Sequence, residues 1–426
     1  MKNSEDFLKA HRMRACDVDL FELVNLFHQE MQKGLAGAES SLRMIPTYIE
    51  AENEFLKEVP VLAIDAGGTN FRSSLVSFGA DGNLVMEGIK NYKMPGIGKE
   101  VSKKEFFDIM AGYIKPLADK TDRIGFCFSY PTEIFPDKDG RLLQFCKEIQ
   151  APEVIGEVIG ESLLEALGTP DKKIVLLNDT VATLLAGKSD SLVRSYDTFV
   201  GYILGTGTNT CYIESNSNIL KNPELDPDKS MIINIESGNF GKAPRSDLDI
   251  AFDGTTMNPG NYTFEKMFSG GYFGGLSLFV LKAAANEGLF SAEARGRIND
   301  IAELTAEEAN NFVSGQKDEN KLSDCFWDSG DRNISSDIID NLIDRSARLV
   351  AANLASVVLK TGKGTEKGNP VLITIDGTTF YKLHNLKNRF EKYFFDFLSG
   401  DRKRFVEFTE VAQSSLIGAA LAGLID

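Results

Sequence analysis

Two turns rich in glycine and threonine are the first parts of this sequence that could do chemistry. Residues 65–70 (DAGGTN) interrupt two apolar runs, and residues 205–209 (GTGTN) repeat the same plan later in the chain. Glycine lets a backbone approach a ligand and present successive N–H groups to an anion. One such turn is usually only a hairpin. Two matched turns predict a polyphosphate that is bound from both sides, with Asp65 binding the metal ion that accompanies it.

A carboxylate follows another apolar run. In residues 172–187 (KKIVLLNDTVATLLAG) a predicted strand ends at Asn178 and Asp179, and a predicted helix follows. Open α/β sheets bind ligands at the carboxyl ends of their strands. Asp179 could simply cap the helix. Phosphoryl transfer to an alcohol, however, needs a carboxylate that accepts the hydroxyl proton, and Asp179 is the best-placed candidate.

Further polar residues stand beside strand ends or glycine-rich turns. They are Ser129, Lys147, Asn209, Glu236 and Glu265. Each alone has an ordinary interpretation: a turn hydroxyl for Ser129, a surface charge for Lys147, a solvated helix face for Glu265. Carboxylates and amides bind vicinal hydroxyls in pairs, so their joint presence favours a polyol as the phosphoryl acceptor.

Composition limits the partners. The 426 residues include 62 acidic and 46 basic side chains, a net charge of −16 that argues against nucleic acid and anionic lipid. The five cysteines are scattered and the three histidines form no metal-binding spacing, which favours reduced thiols. No signal peptide is recognised, and the longest apolar stretch, 416–425 (LIGAALAGLI), is too short to span a bilayer. We therefore expect a cytoplasmic protein without membrane partners.

Hydrophobic periodicity predicts an α/β chain of this length with two lobes. The predicted strands are 61–66, 71–78, 123–129, 173–178, 198–204 and 371–375. The predicted helical regions are 4–34, 103–119, 153–167, 180–187, 262–312, 335–361, 385–399 and 412–425.

These motifs together resemble the hexokinase family in its eukaryotic-type branch, almost from end to end. The resemblance is carried, in order, by 37–54 (GAESSLRMIPTYIEAENE), 62–76 (LAIDAGGTNFRSSLV), 128–133 (FSYPTE), 142–149 (LLQFCKEI), 176–187 (LLNDTVATLLAG), 201–214 (GYILGTGTNTCYIE), 233–241 (INIESGNFG), 258–274 (NPGNYTFEKMFSGGYFG) and 375–390 (IDGTTFYKLHNLKNRF). The resemblance implies a two-lobed, actin-like (ribonuclease H-like) α/β fold whose cleft closes on a sugar. It also implies Mg-ATP-dependent phosphorylation of a hexose, with glucose favoured, at the 6-hydroxyl, as in the first step of glycolysis.

The same resemblance implies roles for individual residues. Asp179 is implied as the catalytic base, and Lys147 as a sugar contact that also faces the transferring phosphoryl group. The other implied sugar contacts are Ser129, Asn178, Asn209, Glu236 and Glu265. The implied nucleotide contacts are Asp65 (holding Mg²⁺ through water), Gly67, Gly68, Thr69, Asn70, Arg72, Gly205, Thr206, Gly207, Thr208, Asp376, Gly377, Thr378 and Ser415. We expect a small domain of residues 60–177 plus about 413–426, a large domain of 1–59 and 178–412, and a monomer or homodimer.

Three positions depart from the family pattern. Cys146 stands where threonine is usual, Ser237 replaces a tryptophan, and 413–416 (QSSL) replaces Asp-Gly-Ser-Gly. These departures leave hexose and phosphoryl-donor preference open. The alternatives are a catalytically weak sugar-sensing or scaffold protein of the same fold, a hexose kinase with another sugar or donor, and another actin-fold enzyme such as an acetate kinase or a chaperone ATPase.

Overall fold

A computed structural model describes residues 3–50, 53–145, 149–190, 194–315 and 320–425. The strands of the described residues are β1 (Ile45–Pro46), β2 (Val61–Gly67), β3 (Asn70–Phe78), β4 (Leu84–Lys93), β5 (Arg123–Phe128), β6 (Thr132–Ile134), β7 (Gly140–Leu142), β8 (Lys173–Leu177), β9 (Thr198–Leu204), β10 (Thr208–Ser215), β11 (Ser230–Asn234), β12 (Val371–Asp376) and β13 (Val406–Thr409). The helices are α1 (Ser4–Ala10), α2 (Leu20–Leu35), α3 (Lys103–Ala118), α4 (Ile159–Leu167), α5 (Asp179–Asp190), α6 (Asp247–Thr255), α7 (Gly270–Asn286), α8 (Ala292–Asp300), α9 (Ala306–Ser314), α10 (Ser329–Thr361), α11 (Thr378–Lys382), α12 (Leu386–Phe397) and α13 (Ser414–Leu424).

Two large sheets are built on one plan. In each, an antiparallel meander of three strands is continued by two parallel strands, in the order β4-β3-β2-β5-β8 and the order β11-β10-β9-β12-β13. The short β1 pairs with β11 at the outer edge of the second sheet. The two glycine turns connect β2 to β3 and β9 to β10, so the repeat in the sequence corresponds to a duplicated structural unit.

Helices α5 and α13 pack between the two sheets. Helix α13 lies against β2 and β5, whereas α5 lies against β9 and β12, and the two helices contact each other. Their apolar cluster includes Leu184, Leu421, Cys127 and Cys211, each at most 1% exposed. This layer fixes the start of α5, and therefore Asp179, relative to both sheets.

A close contact between β5 and α13 gives a stability prediction. A Cβ atom added at Gly125 would lie 1.7 Å from the backbone carbonyl oxygen of Ala419, so strand and helix must separate to admit it. We expect Gly125→Ala to lower the free energy of unfolding by about 1–3 kcal/mol, the usual cost of overpacking. Urea denaturation measures the change.

The control for this prediction is Gly112→Ala. Gly112 is exposed in the interior of α3, and a Cβ there would meet nothing within 4 Å. Alanine should stabilise that helix by roughly 0.5–1 kcal/mol, because glycine loses more backbone entropy on folding. A Gly125→Ala protein as stable as the wild type would contradict the packing described for α13.

The strand predictions are correct for β2, β3, β5, β8, β9 and β12, but the list of predicted strands omits β10, β11 and β13 of the second sheet. The predicted helical region 262–312 is divided into a 3₁₀ turn at Glu265–Met267 followed by α7, α8 and α9. The serine and threonine caps Ser291 and Thr305 start the last two of these helices. Strand β4 was not predicted, because it is an edge strand exposed along most of its length and lacks a buried apolar face.

The membrane and thiol expectations can be compared with the described part of the chain. There, no helix combines the length and the apolar character needed to cross a bilayer. Cys16, Cys127, Cys211 and Cys325 are free thiols. Cys146 lies outside the described residues.

Candidate active site

A cavity of about 210 Å³ lies between the strand ends of the two sheets. Its walls include every predicted sugar-site residue that the structure describes, namely Ser129, Asn178, Asp179, Asn209, Glu236 and Glu265. Lys147 lies outside the described residues. Residues distant in sequence, from the ends of β5, β8 and β11 and the start of β10, are therefore brought to one small polar enclosure.

Asp179 stands at the junction of β8 and α5. The Thr180 backbone N–H donates to its Oδ1 (2.8 Å), and also to Oδ1 of Asn178 (2.9 Å). Both side chains therefore help to cap α5, so the helix-cap interpretation of Asp179 is compatible with its place in the cavity wall. Burial raises the pKa of Asp179 to about 6, and the negative charges of Asp65 and Glu236 act in the same direction against the Thr180 amide.

Amide side chains link the rest of the wall. Asn209 Nδ2 donates to Oδ1 of Asn234 (2.7 Å), and Asn234 Nδ2 donates to Oε1 of Glu236 (2.9 Å). Asn209 Oδ1 accepts the backbone N–H groups of Thr210 and Ser237, which fixes its amide orientation. Burial raises the pKa of Glu236, partly offset by the Asn234 amide. The network orients a carboxylate and several amides, groups that suit paired sugar hydroxyls.

Glu265 is the third acid of the cavity. It accepts the backbone N–H of Thr208 (2.9 Å), and a Cβ at Gly207 would lie 2.6 Å from its carboxylate oxygen. Burial raises the pKa of Glu265 to about 7, with the Thr208 amide opposing and the charge of Glu236 assisting. Glu265 is therefore partly buried against the second glycine turn rather than on a solvated helix face, which was its ordinary interpretation.

A buried ion pair of Lys266, the residue after Glu265, fixes the loop that carries Glu265. Lys266 is 3% exposed, and its Nζ donates to Oδ1 of Asp253 (2.5 Å) and to the carbonyl of Asn258 (2.7 Å). Asp253 also accepts the Gly260 N–H (2.9 Å). The loop that supplies Tyr262 and Glu265 is thereby anchored at both ends.

Some cavity residues were missed by sequence reasoning. Asn234, Tyr262 and Arg43 line the cavity. Asn234 is the last residue of β11 and stands only two residues before Glu236, a proximity in sequence that could have identified it. Gln144 Nε2 donates to the Tyr262 hydroxyl (3.4 Å), joining the loop after β7 to the loop before α7.

The first glycine turn is tied to the start of α13 through Asp65. Asp65 is 7% exposed, and its Oδ2 accepts hydrogen bonds from Arg72 Nε (2.8 Å) and Ser415 Oγ (3.0 Å). Arg72 Nη2 donates both to Asp65 Oδ2 and to Ser415 Oγ. Residues 68–70 of the turn are exposed. Arg72 therefore forms its ion pair within its own sheet, with Asp65, the acid expected to hold the metal.

The second glycine turn rests on α7 and α11. The N–H groups of Gly270 and Gly271 donate to the carbonyls of Gly205 and Thr206, both at 2.9 Å, and the Thr379 hydroxyl also donates to Gly205. A wider depression of about 510 Å³ adjoins this turn; its lining includes Thr206, Gly271, Asn310, Thr378 and Lys382. Gly377, with φ of 116°, lies between this depression and β12.

The two glycine turns do not meet at either of these two hollows. Gly207 borders the small cavity and Thr206 the wider depression, whereas Asp65 borders neither. Consecutive serines of α13 contact two strand ends: Ser415 bonds to Asp65, and Ser414 Oγ donates to Oδ2 of Asp376. The start of α13 therefore links the first glycine turn to the end of β12.

The carboxylates near the glycine turns suit Mg²⁺ only if substrate phosphates and waters complete its coordination. No group of three or more His, Cys, Asp or Glu side chains in the described ranges could cage a metal. Mg²⁺ commonly binds one or two carboxylates plus substrate phosphates and keeps several waters. The buried Asp65, next to an exposed glycine turn, matches that mode and not a dedicated protein cage.

Ser237, at the position of the family tryptophan, is fully buried. Its hydroxyl lies 3.0 Å from Thr210 Oγ1, which accepts from Asn353 Nδ2 at 2.8 Å. Gly238 follows directly, and a Cβ there would lie 3.1 Å from the Glu265 carboxylate. A hydrogen-bonded polar chain therefore occupies the space behind the cavity wall.

Comparison with known proteins agrees with this architecture. Two family profiles described as hexokinase match residues 6–189 and 199–425. Hexokinase-1 of Schizosaccharomyces pombe is 29% identical over 96% of this chain and 87% of its own, and Hexokinase-3 of Oryza sativa subsp. japonica is 27% identical over 95% and 87%. A hexokinase from Schistosoma mansoni, solved in complex with glucose, superposes with a TM-score of 0.76 at 22% identity, covering 99% of this chain and 98% of that one. The predicted actin-like, two-lobed fold is confirmed.

Proposed function

The chain belongs to the hexokinase family, and we propose that its cavity binds glucose and directs the 6-hydroxyl at the γ-phosphate of Mg-ATP. The observation that carries the proposal is the position of Asp179. Its carboxylate has a pKa of about 6, is fixed by a helix start, and faces a cavity whose other walls present amides and acids.

In the proposed reaction the protein positions groups and manages one proton. Asp179 accepts the proton of the 6-hydroxyl while the bond from that oxygen to the γ-phosphorus forms. The bond between the γ-phosphorus and its bridging oxygen breaks, and ADP leaves with that oxygen. Such a base contributes about 10²- to 10⁴-fold in rate. Lys147 is proposed to face the moving phosphoryl group.

The sugar would be held by the remaining wall. Glu236 and Glu265 would accept hydrogen bonds from sugar hydroxyls, while Asn178, Asn209 and Ser129 would supply further donors and acceptors. Occupation by hydroxyl groups would stabilise the ionised forms of the two glutamates, whose pKa values are raised in the polar but desolvated cavity.

The phosphates would lie between the glycine turns 67–70 and 205–208. Asp65 would hold Mg²⁺ through water, and the bound ion would supply positive charge for the β- and γ-phosphates. Asp376, Gly377 and Thr378 lie towards the wider depression, which we assign to the adenosine. Because the second turn borders both hollows and the first turn borders neither, closure of the small domain (60–177 and about 413–426) on the large domain would bring both turns onto one triphosphate.

We place this activity in the cytoplasm at the entry to glycolysis, in a monomer or homodimer. The pH dependence follows from the acids of the cavity. kcat/KM reports ionisations of the free enzyme. Asp179 works only when ionised, so kcat/KM for glucose should fall about tenfold per pH unit below pH 6.

Glu265, with a pKa of about 7, is expected to add a shallower decline that begins near pH 7. Glu265→Gln should remove the decline of kcat/KM that begins near pH 7 and leave the decline below pH 6. Initial rates between pH 5 and 8.5, with folding checked by circular dichroism, measure both. A flat profile from pH 8 to 5 in a folded protein would contradict the assignment of Asp179.

A panel of donors and acceptors tests the proposed function. ATP, GTP, ADP and polyphosphate are each combined with glucose, mannose, fructose and glucosamine, with Mg²⁺ present, and phosphorylated sugar is measured. We expect ATP with glucose to give the highest kcat/KM. Glucose binding by calorimetry without product from any donor would instead support the catalytically weak sugar-sensing protein, and the highest rate with another pair would correct the substrate assignment.

A further inference from the structure

One aromatic side chain connects the sugar cavity to the first glycine turn. Tyr130 follows Ser129 at the end of β5 and lines the cavity. Its hydroxyl donates a hydrogen bond to the backbone carbonyl of Gly68 in the first glycine turn, at 2.9 Å. The contact joins two segments that the proposed reaction uses for different substrates.

The tyrosine ring is held firmly. Tyr130 is 4% exposed and packs between Phe128 and Phe145, with ring centroids 4.8 and 5.1 Å away. The backbone before it is fixed because the Ser129 N–H donates to Ala66 (2.9 Å). The position of the phenol oxygen is therefore set by the core of this lobe and by the loop that carries Ser129.

The bond to Gly68 determines where the next amide points. In a trans peptide the C=O and N–H groups point in opposite directions. With the Gly68 carbonyl held by Tyr130, the N–H of Thr69 points the other way, out of the turn. The Thr69 carbonyl is itself held by the Met94 N–H (3.0 Å), while among the described residues the Thr69 N–H has no acceptor.

Gly68 lacks the usual means of fixing its own peptide. It is exposed, has φ of +56°, and a Cβ there would touch nothing within 4 Å. Without Tyr130 the Gly68–Thr69 peptide has little to prevent its rotation. A free amide at an exposed glycine turn is the group that binds phosphate oxygen, provided its direction is fixed.

Resting on the proposed function, we infer that Tyr130 is a positioning residue that directs the Thr69 amide at a nucleotide phosphate. Through Tyr130, glucose bound at Ser129 would also affect the conformation of the first glycine turn. Glucose contacting Ser129 would shift the loop that carries Ser129 and Tyr130 and, through the Tyr130 hydroxyl, the first glycine turn. Donor binding would then be tighter in the presence of glucose, and the coupling would pass through one hydroxyl group.

Tyr130→Phe removes that hydroxyl and keeps the ring. We expect kcat/KM for Mg-ATP to fall about 3- to 10-fold, the effect of one neutral hydrogen bond, while the Kd for glucose changes less than twofold. The enhancement of Mg-ATP affinity by glucose should shrink by a similar factor. Steady-state kinetics and calorimetry on the full chain, with and without glucose, measure these quantities.

Tyr393→Phe is the matched control. The Tyr393 hydroxyl donates to the Asp344 carboxylate (2.9 Å), on helices α12 and α10 away from the cavity. The Tyr393→Phe variant also loses a tyrosine hydroxyl hydrogen bond, here one to a carboxylate, and its kinetics should match the wild type. A second perturbation, Gly68→Ala, strains the turn without changing the tyrosine. It should reproduce the nucleotide defect, and the double variant should lose less than the sum of the two single effects.

The outcomes separate this inference from the proposed function. An inactive wild type in the donor panel would remove the proposed function. An active wild type with unchanged kinetics in Tyr130→Phe, with equal losses for glucose and Mg-ATP, or with additive effects in the double variant would overturn the positioning role. A selective Mg-ATP defect with normal glucose binding supports it.

Discussion

Replacing Asp179 by asparagine should lower kcat by about 10²- to 10⁴-fold, because the 6-hydroxyl loses its proton acceptor. Glucose should still bind, since asparagine keeps the volume and an oxygen that can accept the Thr180 N–H. The stability of the protein should change little, because a buried carboxylate with a raised pKa contributes no favourable charge interaction of its own. Coupled detection of ADP and calorimetry with glucose measure the two effects separately.

The control for this variant is Asp122→Asn. The Asp122 side chain is 96% exposed and contacts only Lys172 among the described ion pairs, so the same chemical change at that position should leave kcat unchanged. An Asp179→Asn enzyme with wild-type turnover would remove Asp179 from the role of base. Loss of glucose binding along with turnover would make Asp179 a sugar contact instead.

Asp65→Asn is expected to have the second largest effect. If Asp65 holds Mg²⁺ through water, the neutral side chain should lower kcat/KM for Mg-ATP by about 10²- to 10³-fold. The requirement for free Mg²⁺ should rise in parallel. Glucose affinity should not change, because Asp65 does not line the sugar cavity. Rates across a series of Mg²⁺ concentrations at saturating glucose measure the effect.

The ion pair of Asp65 with Arg72 provides the comparison. Arg72→Gln removes the pair but keeps the carboxylate and its bond to Ser415. If Asp65 serves the metal, Arg72→Gln should retain a normal Mg²⁺ requirement and lose less activity than Asp65→Asn. Equal losses in the two variants, with an unchanged Mg²⁺ requirement in both, would mean that Asp65 only supports Arg72 and the turn.

Local patterns in the sequence predicted the strands that end at the candidate site residues. The strands β2, β9 and β12 are apolar runs buried in their sheets, and each ends in a glycine-containing turn that is visible without any partner strand. The order of motifs along the chain supplied the fold. Asp179 became the predicted base for the same reason, since it stands two residues after the buried strand β8.

What the sequence did not reveal depends on pairing between distant segments. Asn234 belongs to β11, whose partner is the distant strand β10, so its approach to Asn209 could not be read locally. The bridge from Ser415 to Asp65 spans 350 positions in the chain. Tyr262 has φ of 54° in an irregular loop, where periodicity gives no information. The domain boundaries and the role of Lys147 stay predictions.

The most direct test is a crystal structure with glucose and a non-hydrolysable ATP analogue bound. The account predicts a hydrogen bond of about 2.6–3.2 Å between the sugar 6-hydroxyl and the Asp179 carboxylate, with Glu236 and Glu265 contacting other hydroxyls. It also predicts that both glycine turns contact the triphosphate. Glucose bound outside this cavity, or with its 6-hydroxyl turned away from Asp179, would contradict the account.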